Sequence, residues 1–155
     1  MSLSSAWLLK CGNDLSIAVG DREMVELVRG QEVHPVPESP AHCSSVLIWQ
    51  DNIVPVMDIA LLHNGIAVSE VDSYLCLLNY QEAPGTPLKQ VAIRVSEAPE
   101  RIQVDDAQFC ELSPDLSDGL LKPVTLSSFS HHARTILILD IAALCSADYR
   151  ILTAA

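Results

Sequence analysis

Short aliphatic runs separated by turn residues dominate the chain. Trp7 to Cys11 and Leu15 to Val19 flank Gly12-Asn13-Asp14, a spacing that predicts a hairpin. Val46 to Trp49 and Ile53 to Val56 flank Gln50-Asp51-Asn52 and predict a second. Tyr74 to Tyr80 and Leu88 to Val95, around Ala83-Pro84-Gly85-Thr86-Pro87, predict a third. Leu126 to Phe129 and Thr135 to Leu139, around His131-His132, predict a fourth. Strands this short and this regularly spaced imply an all-β barrel or sandwich. Helical pattern is brief. Arg22 to Val28 offers one or two turns. Asp58 to His63 has an N-cap residue and an Asn64-Gly65 stop, and Asp140 to Cys145 repeats that design.

The repetition extends further. At an offset of 82, Ile53 to Leu62 lies over Thr135 to Leu144, and Ser45 to Ile48 lies over Ser127 to Ser130. Ile17 and Val19 align with Ile93 and Val95 at an offset of 76. The unit is a hairpin, a connection, a second hairpin and a short capped helix, present twice. Two copies are too few for a solenoid and predict two similar small barrels side by side. Pro55 falls inside a strand of the first copy, where the second has Leu137. Lacking an N–H, it predicts an edge strand or a bulge.

Composition narrows the function. The chain has 155 residues, one domain's worth, with 49% apolar but only 5% aromatic residues, so Val, Ile, Leu and Ala must build the core. Charged residues are 19%, below an average domain, leaving apolar surface that a partner could cover. Net charge is −11, with −7 in residues 1–80 and −4 in 81–155. Such a chain repels phosphate backbones and anionic lipid, which disfavours nucleic-acid and membrane-surface partners. Five dispersed cysteines with no CxxC argue for buried thiols in a reducing cytosol rather than a disulfide framework or zinc ribbon. The N-terminus shows no secretory signal, and no apolar run reaches membrane-span length. The expectation is a cytoplasmic protein without direct membrane insertion.

Catalytic signals are weak. The five histidines lack ligand spacing, and His131-His132 reads as a polar hairpin tip. His42-Cys43 offers a thiol and a base, but adjacent residues point apart. Residues 96–119 hold seven acids and one arginine without matching a calcium loop, and read as solvated, turn-rich surface. No phosphate-cradling glycine loop is present. No catalytic residue, metal, cofactor or small-molecule substrate is expected.

One stretch, Val33 to Ile59, resembles the CheW family, whose pattern there is roughly pVP…P…GVxNLRGxIVPVIDL. The match covers Pro35, Val36, Pro37, Pro40, Val46, Ile53 to Val56, Asp58 and Ile59. Val25-Glu26-Leu27-Val28 resembles the family's VxEVL, and Ile136 to Leu144 its closing lLDldrLL. The resemblance runs from about residue 6 to 146. It implies two five-stranded β-barrel subdomains with short capping helices in a single domain, 1–155. The halves fall near 6–66 and 73–146, with the ends open to exchange between them. It also implies a non-enzymatic adaptor in bacterial chemotaxis-type or pilus-motility signalling. Such an adaptor binds a CheA-type histidine kinase, a chemoreceptor or both, and is recruited to membrane-associated receptor arrays. The partner-binding residues it implies are Glu26, Val36, Pro37, Trp49, Gln50, Asp51 and Asn52.

The departures carry information. Where the family has GVxNLRG, this chain has Ser45-Val-Leu-Ile-Trp-Gln-Asp, so Ser45 and Asp51 replace glycines and Gln50 replaces the arginine expected to face Glu26. The family's second-copy GLlVD is Ala92-Ile-Arg-Val-Ser. Losing a five-donor cation need not harm folding but alters partner choice. A second reading follows: a divergent protein of this fold with a different protein partner. A third, a thiol enzyme, has no supporting motif. Trp49 reads either as a core aromatic capping one barrel or as an exposed anchor.

Overall fold

Aliphatic runs and turn chemistry account for most of the eleven strands among the described residues. The computed structural model describes residues 3–12, 15–69, 73–111 and 119–149. Strands β1 (Leu3–Lys10), β2 (Ser16–Gly20), β3 (Met24–Val28), β4 (Val33–Pro35), β5 (Ser45–Trp49) and β6 (Asn52–Met57) precede helix α1 (Ile59–Asn64). Strands β7 (Tyr74–Tyr80), β8 (Lys89–Val95), β9 (Glu100–Asp105), β10 (Thr125–His131) and β11 (Arg134–Leu139) follow, and helix α2 (Ile141–Leu144) comes after them. All four predicted hairpins form, each antiparallel. Asn13 and Asp14 of the first turn lie outside the described residues.

Two sheets result, one ordered β10-β11-β2-β1-β9 and the other β3-β7-β8-β6-β5-β4. The first hairpin is thus spliced among the C-terminal strands, so the five-stranded sheet draws strands from both ends of the chain and the six-stranded one takes β3 to β8. The six-stranded sheet gains its extra member from β4, which the sequence pattern did not mark as a strand. The five-stranded sheet curls until Phe109, just past edge strand β9, bridges Phe129 on the opposite edge strand β10.

Each sheet buries its own inner face. Leu47, Val54, Val56, Leu75, Leu77 and Ala92 fill the six-stranded one; Leu8, Ala18, Ile102, Val104, Phe129 and Ile136 fill the other. A third, larger core lies between the sheets, built from Leu9, Ile17, Val19, Cys76, Leu78, Val91 and Ile93 together with Ile59 and Ile141 of the helices. Strands β2, β7 and β8, and the Leu8–Leu9 end of β1, are therefore buried on both faces, which is why their sequences are aliphatic runs rather than alternating ones. Each fully buried aliphatic side chain contributes about 1.5–3 kcal/mol.

The repeat is real, with a corrected register. Ile138 pairs with Ala18 in one parallel ladder and Val56 with Ala92 in the other. Ile138 is 82 beyond Val56 and Ala92 is 74 beyond Ala18, so the β2–β8 offset is 74 rather than 76. The two-residue difference keeps every side chain on its face. The copies also share features the sequence hid. Asp58 N–H donates to His42 O and Asp140 N–H to Val124 O, both at 2.8 Å. The two sheet-to-sheet crossovers each latch onto the other copy: Asn79 N–H donates to Glu23 O, and Ser96 N–H to Lys10 O, both at 2.8 Å.

Three expectations need correction. Arg22 to Val28 does not form a helix: residues 24–28 are edge strand β3, because pairing with β7 outweighs a weak local helical pattern. Residues 96–119 are not all solvated turns, since 100–105 form β9, with Ile102 and Val104 in the core and pairing to β1. Asp115 and Asp118 lie outside the described residues. Strand β6, with Pro55, is not an edge; it lies between β8 and β5. Counting out from the two-residue turn, Leu47–Val54 is a hydrogen-bonded pair, so the Pro55 nitrogen points away from β5. On that side the parallel ladder with β8 begins only at Val56, and no N–H is missed.

Candidate protein-docking site

The β5–β6 hairpin turns in two residues, Gln50 (φ 47°) and Asp51 (φ 67°), with Trp49 and Asn52 as the closing pair. Positive φ at both central residues is the mirror-image turn that matches strand twist, and it favours glycine or a short polar side chain. Asp51 tolerates that conformation because a short carboxamide or carboxylate can visit it; a glycine there would do so without strain. Asn52 begins β6 rather than extending the turn.

Alternation then sorts the hairpin's side chains. Leu47 and Val54 are fully inside, while Ile48 and Ile53, directly paired, are 56% and 73% exposed. Two large aliphatic residues side by side in water are the anomaly here, because either could have been polar without touching the core. Beyond them β6 and β8 splay, leaving a shallow groove of ≈ 520 Å³ walled by Asn52, Ile53, Pro55, Tyr80, Leu88 and Gln90. Leu88 is 64% exposed at its rim. Gln90 Nε2 donates to Asn79 Oδ1 at 3.3 Å, and the buried Gln90 Oε1 accepts nothing among the described residues.

The residues expected to bind partners sort into two places. Gln50, Asp51 and Asn52 are exposed at the hairpin tip. Trp49 is half-buried and packs on the inner core of the six-stranded sheet. Val36 and Pro37 are exposed on an arm leading from β4, where Val36 N–H donates to Ser44 O at 2.8 Å and Ser39 Oγ donates to Val36 O at 2.6 Å. Glu26 is exposed on β3, next to Val25, because a bulge between Met24 and Glu26 turns both outward. No described hydrogen bond or ion pair joins Glu26 to Gln50. Sequence reasoning missed Ile48, Ile53 and Leu88; the signal was Ile48 and Ile53 at equal distances from a two-residue turn, which makes them a cross-strand pair.

Two of the five thiols, Cys11 and Cys76, are buried in the core between the sheets. Burial pushes the Cys76 thiol up to about 12 and the Cys11 thiol, beside it, higher still, so both stay protonated. Among the described residues no group of three or more His, Cys, Asp or Glu is placed to hold a metal ion, and no helix is long and apolar enough to cross a membrane.

The family model of the CheW-like domain matches residues 6–148. The chain belongs to the CheW-like domain family. Among solved structures it is similar to the scaffolding protein TtCheW from Thermoanaerobacter tengcongensis, with a TM-score of 0.74 over 96% of this chain and 92% of that one, at 14% sequence identity. No curated protein sequence matches it. Gln50 and Asp51, the positions where the sequence resemblance expects arginine and glycine, are the two left-handed residues of the hairpin turn. Neither residue is a cation, and the two-residue turn forms with both.

Proposed function

We propose that this CheW-like chain is a non-enzymatic coupling scaffold in a bacterial chemotaxis-type or pilus-motility signalling system. It docks the regulatory domain of a CheA-type histidine kinase, a chemoreceptor tip, or both, in the cytoplasm and at membrane-associated receptor arrays. The observation that carries this reading is the Ile48–Ile53 pair, exposed beside the Gln50–Asp51 turn and the groove toward Leu88, in a chain matched by the CheW-like domain model over 6–148. Apolar anchors around a small cleft are what a protein interface needs at its centre. Glu26 and the Val36–Pro37 arm extend the surface.

The test is calorimetric titration of the purified chain with the host's kinase regulatory domain and, separately, its receptor signalling tip. Binding to either that drops at least about tenfold with Ile48→Ser plus Ile53→Thr supports the docking surface. Binding to neither sinks the reading. A specific observation favours the alternative of a divergent member with another protein partner: Gln50 stands where the family carries arginine. In that case native chain fails to bind the kinase domain, while Gln50→Arg with Asp51→Gly gains binding.

A further inference from the structure

Asp58 and Asp140 occupy equivalent positions but use their carboxylates differently. Asp140 Oδ1 accepts from Ala143 N–H at 3.1 Å and caps α2. Asp58 makes no such bond to α1. Its Oδ2 accepts instead from Val68 N–H, ten residues on, at 2.9 Å, and its buried Oδ1 has no partner among the described residues. A carboxylate 92% out of water and half satisfied is costly, and the donor that Asp140's geometry would assign to it, Leu61 N–H, is one helical turn away.

What Asp58 holds is a segment whose other described tie lies at its start, where Ile66 N–H donates to Asn64 Oδ1 at 2.9 Å. Residues 66–69 have no regular structure. Ile66 is 69% exposed, Ala67 and Ser69 are exposed, and only Val68 is buried. Val68 and Asp58 help to line a cavity of ≈ 110 Å³ that His42, Ser44, Leu61 and Arg94 also wall.

We propose that residues 66–69 are a releasable strap latched by Asp58. Closed, the carboxylate holds Val68 N–H. Open, it turns to Leu61 N–H, caps α1 as Asp140 caps α2, and Val68 leaves its seat. One hydrogen bond replaces another, so opening forfeits mainly the apolar burial of a single valine. The opened cavity reaches Ser44, whose carbonyl holds the Val36 N–H, so the strap controls the underside of the Val36–Pro37 arm. That last step rests on the docking reading; the latch does not.

Amide hydrogen exchange on the full chain, resolved residue by residue, tests the latch without any partner. In the native protein the Val68 amide should exchange on the order of 100-fold faster than those of Leu77 and Ile93, and independently of low urea, the signature of local opening. Asp58→Ser keeps a good cap but is too short to reach Val68. It should speed Val68 exchange about tenfold and slow Leu61 exchange several-fold. Val68 exchanging at the rate and urea dependence of Leu77 would overturn the strap, and so would Asp58→Ser leaving Leu61 unchanged. If that variant does not fold, the native measurement decides. Loss of partner binding with both exchange results intact would fail the docking reading and leave the strap standing.

Discussion

The β5–β6 and β10–β11 hairpins are the same object built twice, and the difference that bears on docking lies in their outer row of side chains. Both turn through two non-glycine residues with positive φ, Gln50 and Asp51 in one, His132 and Ala133 in the other. Both bury the same inner positions, Leu47 and Val54 against Phe129 and Ile136. On the outer face, however, the exposed pair Ile48–Ile53 corresponds to the pair Ser130–Thr135. The second hairpin is thus an internal control: it shows that this fold does not require apolar residues in that outer row. Their presence in the first hairpin calls for a reason outside folding, and an interface supplies one.

The inner positions should respond most and should respond alike. Phe129→Ala is expected to cost about 3–5 kcal/mol and Leu47→Ala about 2–5 kcal/mol, by urea denaturation, since both open a cavity in a closed core. A small effect at either site would mean that the two inner cores are not equivalent. The outer rows should respond in the opposite way. Exchanging Ile48 and Ile53 for Ser and Thr should change stability by less than about 1 kcal/mol yet weaken partner binding by about 2 kcal/mol or more. Ser130→Ile with Thr135→Ile, the reciprocal exchange, should leave the binding constant where it was. If the reciprocal variant binds more tightly, the docking surface includes both hairpins.

How much of this was readable from sequence depends on what wrote each signal. The hairpins, the duplication and the Asp-headed helices are local patterns, and they were legible. Strand β4 was not, because three residues containing a proline carry no period; it exists only because β5 offers it an edge. Strand β9 was legible in Ile102 and Val104 but was masked by the acids around it. The helical reading of 22–28 failed because the deciding partner, β7, lies about 50 residues away. At the site, the family pattern led to the tip residues Gln50 and Asp51, while the exposed isoleucines emerged only once register fixed which face they share. The diversion of Asp58 from its helix to Val68 was invisible, since Asp58 and Asp140 head nearly identical segments.

The turns themselves offer a smaller contrast. Ala133 sits at φ 62°, where an L-residue with a Cβ is strained by about 1–2 kcal/mol, less the entropy that glycine would lose on folding. Ala133→Gly should therefore stabilise by about 0.5–1 kcal/mol. Asp51→Gly should gain only a few tenths, because aspartate already tolerates this conformation. Equal gains from the two would show that Asp51 is as strained as an alanine, and that the tip retains it for contact rather than for the turn.

The crossovers give the last and smallest difference. Glu97 is exposed and pairs with Lys10 at 2.9 Å, an arrangement worth at most about 1 kcal/mol. Its counterpart Glu23 is drawn inward, accepting from Gly20 N–H at 2.9 Å. Burial raises the Glu23 carboxyl above the usual carboxylate range, the Gly20 bond works against that, and nearby Asp140 adds to the rise. A carboxyl whose folded pKa exceeds its unfolded one holds more protons when folded, so its contribution to stability falls as pH rises from the unfolded value through the folded one. Glu23→Gln removes that titration while keeping an acceptor for Gly20. As pH rises from about 4.5 through the raised folded value, the native chain should lose stability relative to Glu23→Gln, with the two curves parallel once the carboxyl is ionised in both states. Urea midpoints at closely spaced pH values would show it. A difference that grows in the other direction would mean that the ionised carboxylate is stabilised at the crossover, and that the Gly20 bond outweighs burial.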